Sequence, residues 1–150
     1  MARATSQAGG APGRQGPTLV VGLGDTGLSV ARYLSGLGES LRVVDSRAHP
    51  PGLVALRAAR PDVEIVLETL DPRWLDGIAR LVLSPGLGTS IPLVAEARRR
   101  GIDVVGDIEL FARAAAAPVV AVTGSNGKST VTTLTARMLE TAGLRAASGG

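Results

Sequence analysis

The sequence contains no cysteine and a single histidine, His49. Without thiols there is no disulfide framework, no thiolate metal site and no cysteine nucleophile. With one imidazole, a histidine-based zinc site or a Ser-His-Asp triad has almost no material. Aromatic residues are scarce as well: Tyr33, Trp74 and Phe111 are the whole set. Three rings make a poor stacking surface for nucleic acid, although a net charge of +3 and a pI near 10.5 suit anionic partners. Fifteen of the sixteen basic residues are Arg, and the exception is Lys128. No apolar run approaches the ~20 residues of a membrane-spanning helix, so no membrane partner is expected. The first sixteen residues, rich in Gly, Ala, Pro and Gln, lack the apolar stretch of a signal peptide and read as a disordered tail.

From Pro17 onward, short apolar runs alternate with amphipathic stretches. Thr18–Val21, Leu41–Val44, Val63–Leu67, Leu81–Leu83, Val104-Val105 and Val119–Val122 read as strands. Leu28, Ala31, Leu34 and Leu37 recur at helical spacing. Further helices are expected over 94–100, over 107–116 and through Val131, Leu134 and Met138. Strands alternating with helices predict an α/β fold with a parallel sheet and right-handed crossovers. Strands that are apolar throughout, rather than alternating, predict a sheet covered on both faces. A last run, Leu144–Ala147, leads into Gly149-Gly150 and reads as a strand-to-loop junction inside a domain.

Two glycine loops carry the chemistry. Gly22-Leu23-Gly24-Asp25-Thr26-Gly27 has the G-x-G-x-x-G spacing between a predicted strand and a predicted helix. Such a turn brings backbone N–H groups at a helix N-terminus to a pyrophosphate. Asp45 ends the second strand, where an acidic residue commonly meets a ribose. The second loop, Thr123-Gly124-Ser125-Asn126-Gly127-Lys128-Ser129-Thr130, follows the sixth predicted strand and ends in G-K-S like a phosphate loop. Its spacing is shorter than G-x-x-x-x-G-K-[ST], because Val122 stands where the first Gly would fall. The chemistry survives that departure: N–H groups cradle phosphates, Lys128 reaches the β/γ oxygens and Ser129 can ligate Mg²⁺.

Two nucleotide loops in series resemble the Mur ligases of peptidoglycan synthesis. Gly22–Ser29, Asp45-Ser46-Arg47 with Pro50-Pro51-Gly52-Leu53, Ser84-Pro85-Gly86, Gly106–Phe111 and Thr123–Thr130 occur in the order and spacing of that family's D-glutamate-adding members. The resemblance covers residues 17–150. It implies a Rossmann-like parallel-sheet domain for the UDP substrate over about 17–106, then the beginning of a P-loop ATPase domain over 107–150. It further implies a monomeric, cytoplasmic, ATP- and Mg²⁺-dependent ligase that joins D-glutamate to UDP-N-acetylmuramoyl-L-alanine through an acyl phosphate. By the same resemblance, Asp25, Thr26 and Gly27 contact the UDP pyrophosphate. Asp45, Ser46 and Arg47 read the uracil, and Ser84, Pro85 and Gly86 line the substrate. Gly124, Ser125, Asn126, Gly127, Lys128, Ser129 and Thr130 hold ATP, with Lys128 catalytic and Ser129 on Mg²⁺. The family's remaining Mg²⁺ ligands, carbamylated lysine and D-glutamate site have no counterpart in these 150 residues, so the chain alone is expected to be incomplete and inactive.

Other residues carry plainer readings. His49, in a Pro-rich loop, is expected to be solvated, Arg98–Arg100 to end a helix, and Trp74 to pack under the sheet edge. Asp107 and Glu109 suit a first helical turn or a junction between domains. Two rival functions remain. A nicotinamide-dependent oxidoreductase would use the first loop and Asp45 but leave the phosphate loop without purpose. A non-catalytic nucleotide-binding module would bind without turnover.

Overall fold

The computed structural model describes residues 16–88 and 90–149; the expected N-terminal tail lies outside the described residues except for Gly16. The chain forms two compact units, the first running to Ala114 and the second from Ala115.

In the first unit the strands are β1 (Thr18–Val21), β2 (Leu41–Val44), β3 (Glu64–Val66), β4 (Arg80–Leu83) and β5 (Asp103–Gly106). The helices are α1 (Asp25–Gly36), α2 (Leu53–Ala59), α3 (Pro92–Arg99) and α4 (Asp107–Ala114), with a 3-10 turn at Pro72–Leu75. All strands are parallel, in the order β3-β2-β1-β4-β5. The sheet is therefore built outward from β1 in two directions, and the chain reverses its direction of growth between β3 and β4. In open α/β sheets a crevice forms where the order reverses, outside the carboxyl ends of the strands.

The pleat sends alternate side chains of each strand to opposite faces. On one face Val20, Val43, Val82 and Val105 meet Ala31 and Leu34 of α1, Leu53 and Leu56 of α2, and Leu110 of α4. On the other, Leu19, Val21, Val44, Leu81 and Leu83 meet Leu75, Leu93, Val94 and Ala97. The Pro50-Pro51-Gly52 segment, read above only as a motif, leads directly into α2, a helix the sequence reading passed over. Trp74 is half-buried against the second face, and the guanidinium of Arg73 stands 5.1 Å from its ring centroid. At the end of α3, Arg99 and Arg100 both donate to Glu96, at 2.6 and 2.7 Å, and Arg100 also reaches Asp76 at 2.7 Å. The two cations beside Glu96 hold its carboxyl down to about 2.

The first compact unit extends past the expected boundary at residue 106. Leu110 lies in the core with Val20, Val82 and Val105, so α4 packs on this sheet. Asp107 and Glu109 occupy its first turn, and Glu109 accepts from Arg113 at 2.9 Å.

In the second unit α5 (Lys128–Thr141) forms as expected. The expected sixth strand does not: Val119–Val122 is irregular, with Val119 and Val120 exposed. Leu144–Ala147 is likewise not a strand. A parallel strand is stable only when neighbours take its N–H and C=O groups. The described part of this unit supplies no such neighbour, and α5 buries none of its residues.

If α4 belongs to the first core, Leu110→Ala lowers the stability of that unit by about 2–4 kcal/mol, the usual cost of emptying a buried leucine site. Phe111→Ala, at a 56% exposed position of the same helix, costs less than about 1 kcal/mol. Urea unfolding of the two variants measures both.

Candidate functional site

The register of the sheet builds the site. Val21 stands level with Val44 on one side and with Leu83 on the other. The residues that follow, Gly22, Asp45 and Ser84, therefore leave the sheet side by side. Ladder bonds continue across this line: Gly22 N–H donates to Val44 O at 2.8 Å and Ser84 N–H to Val21 O at 3.0 Å.

The first loop is tight because two of its glycines allow it. Gly22 turns with φ of 94°, a conformation that side chains oppose. Gly27 packs so closely that a Cβ there would collide with the Gly22 carbonyl, and Ser84 Oγ also stands beside it. Ser84 Oγ donates to that same carbonyl at 3.1 Å, tying the β4 loop to the β1 loop. The first helical bond of α1 is Leu28 N–H to Gly24 O at 2.9 Å. The N–H groups of Asp25, Thr26 and Gly27 thus precede the ladder, at the positive end of the helix dipole.

These loops enclose a cleft of about 490 Å³. Its lining includes every residue expected to touch the UDP substrate: Asp25, Thr26, Gly27, Asp45, Ser46, Arg47, Ser84, Pro85 and Gly86. Three further residues line it, Gly22, Gly24 and Leu87. The first two lay inside the glycine motif. Leu87 carried no sequence signal beyond its nearness to Ser84-Pro85-Gly86.

Asp45 is 2% exposed and deeply hydrogen-bonded. Its Oδ2 accepts from Leu23 N–H at 2.7 Å and from Arg47 Nη2 at 2.7 Å. Its Oδ1 accepts from Arg47 N–H at 2.8 Å and Arg47 Nε at 2.9 Å. Burial alone would raise its pKa, but the bonds from the Arg47 side chain, Leu23 N–H and Arg47 N–H outweigh it and hold the carboxyl below its ordinary value. Ser46 and Arg47 are exposed, and the Arg47 side chain keeps about half its surface open. His49 is exposed. Among the described residues no cluster of His, Asp or Glu could hold a metal ion.

The second loop stands in its own unit. Gly127 precedes α5, and Val131 N–H to Gly127 O, at 2.9 Å, begins the helical ladder. The N–H groups of Lys128, Ser129 and Thr130 therefore lie before the ladder. Lys128 Nζ donates to Gly124 O at 2.7 Å, folding its ammonium back across the loop. Gly124, Ser125, Asn126, Gly127, Lys128, Ser129 and Thr130 are all exposed.

Sheet, crevice and glycine turn define a Rossmann-like domain of the kind that takes an anionic ligand at a helix N-terminus. A family model described as Mur ligase MurD-like, N-terminal domain, matches residues 16–106, and the chain belongs to that family. The chain is 52% identical over 133 residues to the UDP-N-acetylmuramoylalanine–D-glutamate ligase of Marinobacter nauticus, a match covering 89% of this chain and 30% of that protein. It is 50% identical over 133 residues to the enzyme of the same name from Nitrosococcus oceani, covering 89% and 29%. For the one from Alcanivorax borkumensis the identity is 47% over 137 residues, covering 91% and 31%. The chain thus spans about 30% of the length of the curated relatives it matches. No helix among the described residues is long and apolar enough to cross a membrane.

The Asp45 geometry sets a pH dependence. A carboxyl whose folded pKa lies below its unfolded value stabilises the fold above the unfolded value of about 4 and loses that contribution as pH falls through the lower, folded one. Asp45→Asn should cost about 2 kcal/mol at pH 7, the scale of hydrogen bonds to a charged group. It should also flatten the decline in stability below about pH 4. Urea titrations of both proteins between neutral and strongly acidic pH measure this difference.

Proposed function

We propose that the first unit is the UDP-substrate domain of an ATP-dependent D-glutamate ligase, and that the complete protein joins D-glutamate to UDP-N-acetylmuramoyl-L-alanine in the cytoplasm for peptidoglycan synthesis. The observation that carries the reading is the cleft: all nine residues assigned to the UDP substrate line one crevice at the reversal point of the sheet. Names of relatives about 50% identical add the substrate and the amino acid.

In this reading the N–H groups at the start of α1 and the Thr26 hydroxyl donate to the pyrophosphate. Arg47 offers planar donors to the base. Asp25 sits in the first turn of α1 and opposes the bound anion, so the backbone donors and helix dipole must outweigh it. Ser84, Pro85 and Gly86 flank the substrate from the β4 side.

The second loop is proposed to hold ATP. Its donor set fits phosphate: pre-ladder N–H groups, one ammonium and the hydroxyls of Ser129 and Thr130. The fit to Mg²⁺ is narrower. Ser129 offers one hydroxyl, which suits an ion held mainly by phosphate oxygens and water rather than by a protein cage. ATP supplies the phosphoryl group that activates the substrate carboxylate. Lys128 acts by releasing Gly124 O and placing its charge against the phosphates, a stabilisation of about 3–5 kcal/mol where such clamps operate.

The nicotinamide reading is disfavoured by Asp45, whose carboxylate already accepts four bonds from within the chain and has none left for a ribose diol. Calorimetry of the 150-residue chain tests the proposal. UDP is expected to bind measurably. Mg-ATP is expected to bind at least tenfold more weakly, because among the described residues the loop of the second unit has no packed strand beneath it. NADH is expected not to bind. Lys128→Ala should remove the residual ATP signal and leave UDP affinity unchanged. Tight NADH binding without UDP binding would overturn the reading.

A further inference from the structure

We propose that Asp25 is a specificity-determining residue of the cleft: its carboxylate sets the site against charge-dense anions, so that a uridine diphosphate whose terminal phosphate is esterified is taken in preference to free UDP or UTP. The proposal rests on the UDP reading above for the identity of the ligand.

Charge in the lining carries this assignment. Three lining residues are ionisable: Asp25, Asp45 and Arg47. Asp45 and Arg47 neutralise one another, with Arg47 Nη2 2.7 Å from Asp45 Oδ2. Asp25 is exposed in the first turn of α1, and among the described residues no cation pairs with it. The lining therefore holds an uncompensated negative charge and no uncompensated positive one. What it offers an anion is main chain: the N–H groups of Asp25, Thr26 and Gly27 and the positive end of the helix dipole. That dipole end is worth roughly half an elementary charge, and a full carboxylate charge stands in the same turn. Such a site holds oxygens that fit its donors and gains nothing from further charge on the ligand.

The second glycine loop is built the other way. Over Thr123–Thr130 there is Lys128 and no acidic residue. Both loops offer N–H groups ahead of a helical ladder, but the side-chain charge beside them is opposite. A cationic loop suits a polyphosphate. A loop with a fixed carboxylate suits a ligand whose two phosphates are both diesters, each with a single charge. A nucleoside diphosphate joined to a sugar is such a ligand. Free UDP bears one more charge on its terminal phosphate, whose second ionisation lies at about pH 6, and UTP bears a further one. One extra charge several ångströms from a carboxylate at a half-exposed site changes affinity on the order of threefold to tenfold. An acid in the first helical turn also stabilises the helix. That contribution is the same for every ligand, so the decisive quantity is how affinity changes with ligand charge.

UTP, UDP and UDP-N-acetylglucosamine are titrated by calorimetry into the 150-residue chain, Asp25→Asn and Asp25→Glu, in metal-free buffer of low ionic strength at about pH 8, above the terminal ionisation. Asp25→Asn is expected to tighten UDP at least threefold more than UDP-N-acetylglucosamine, and UTP more than UDP. Asp25→Glu should keep the wild-type ratios within about twofold. At about 1 M salt, where the screening length is about 3 Å, the gains in Asp25→Asn should shrink below about twofold. Equal changes for all three ligands would assign Asp25 to the helix alone and overturn the proposal. Loss of affinity for UDP-N-acetylglucosamine alone would mean the carboxylate accepts from the sugar, and would overturn it as well. Inorganic pyrophosphate separates the proposal from the UDP reading. Followed by ¹⁵N NMR at the Thr26 and Gly27 amides, it should bind Asp25→Asn at least threefold more tightly than wild type. If no uridine nucleotide binds while pyrophosphate behaves as expected, the uridine assignment fails and selection by charge stands. Pyrophosphate affinity unchanged by Asp25→Asn overturns the proposal whatever the uridine ligands do.

Discussion

Everything at the cleft depends on three parallel strands ending on one line. With Val21 level with both Val44 and Leu83, the chain must leave the sheet at Gly22, Asp45 and Ser84 together. A slip of one residue in β2 would turn its apolar side chains to the wrong faces and carry Asp45 away from Leu23. Register is therefore enforced by the two cores above and below the sheet. The site is positioned by packing that lies outside it.

The electrostatics of the cleft follow from that placement. Asp45 is dehydrated by the same packing that positions it, and an unpaired buried carboxylate would be costly. Arg47, two residues on, removes the cost by bonding both oxygens, and Leu23 N–H completes the set. What remains facing the cleft is a row of N–H donors: main-chain groups at the start of α1 at one end, the guanidinium at the other. Asp25 is the one exposed negative charge among the lining residues. In the proposed reading, it makes binding of an anion depend on oriented donors more than on net charge.

Much of this was legible in the sequence, for particular reasons. β1 is bounded by Pro17 and Gly22, which cannot continue a strand in the same way, and its four apolar residues fall where expected. Among the crevice residues, the glycine turn and Asp45 were legible because strand, turn and acid recur at fixed distances, whereas Ser46, Arg47 and Ser84-Pro85-Gly86 entered only through the family resemblance. α2 was not, because seven residues after Pro-Pro-Gly give barely two helical turns of periodicity. That α4 packs on the first core was not legible, because one buried side chain, Leu110, decides it, and a helix with a single core residue resembles a linker. Val119–Val122 has strand composition, but a strand is a property of pairs, and composition does not supply the partner. The role of Asp45 was the deepest gap. An acid after the second strand reads the same on paper whether or not it is bonded from within the chain, and the bonds from Arg47 and Leu23 N–H appear only in the fold.

The central claim is that the nucleotide is held by the joined loops of the first unit. Its most direct test is to titrate UDP into the ¹⁵N-labelled chain and follow backbone amide shifts. The account predicts concentrated changes at Gly22–Gly27, Ser46-Arg47 and Ser84–Gly86, with Gly124–Thr130 unmoved. Shifts centred on Gly124–Thr130, with the three loops of the cleft silent, would contradict it.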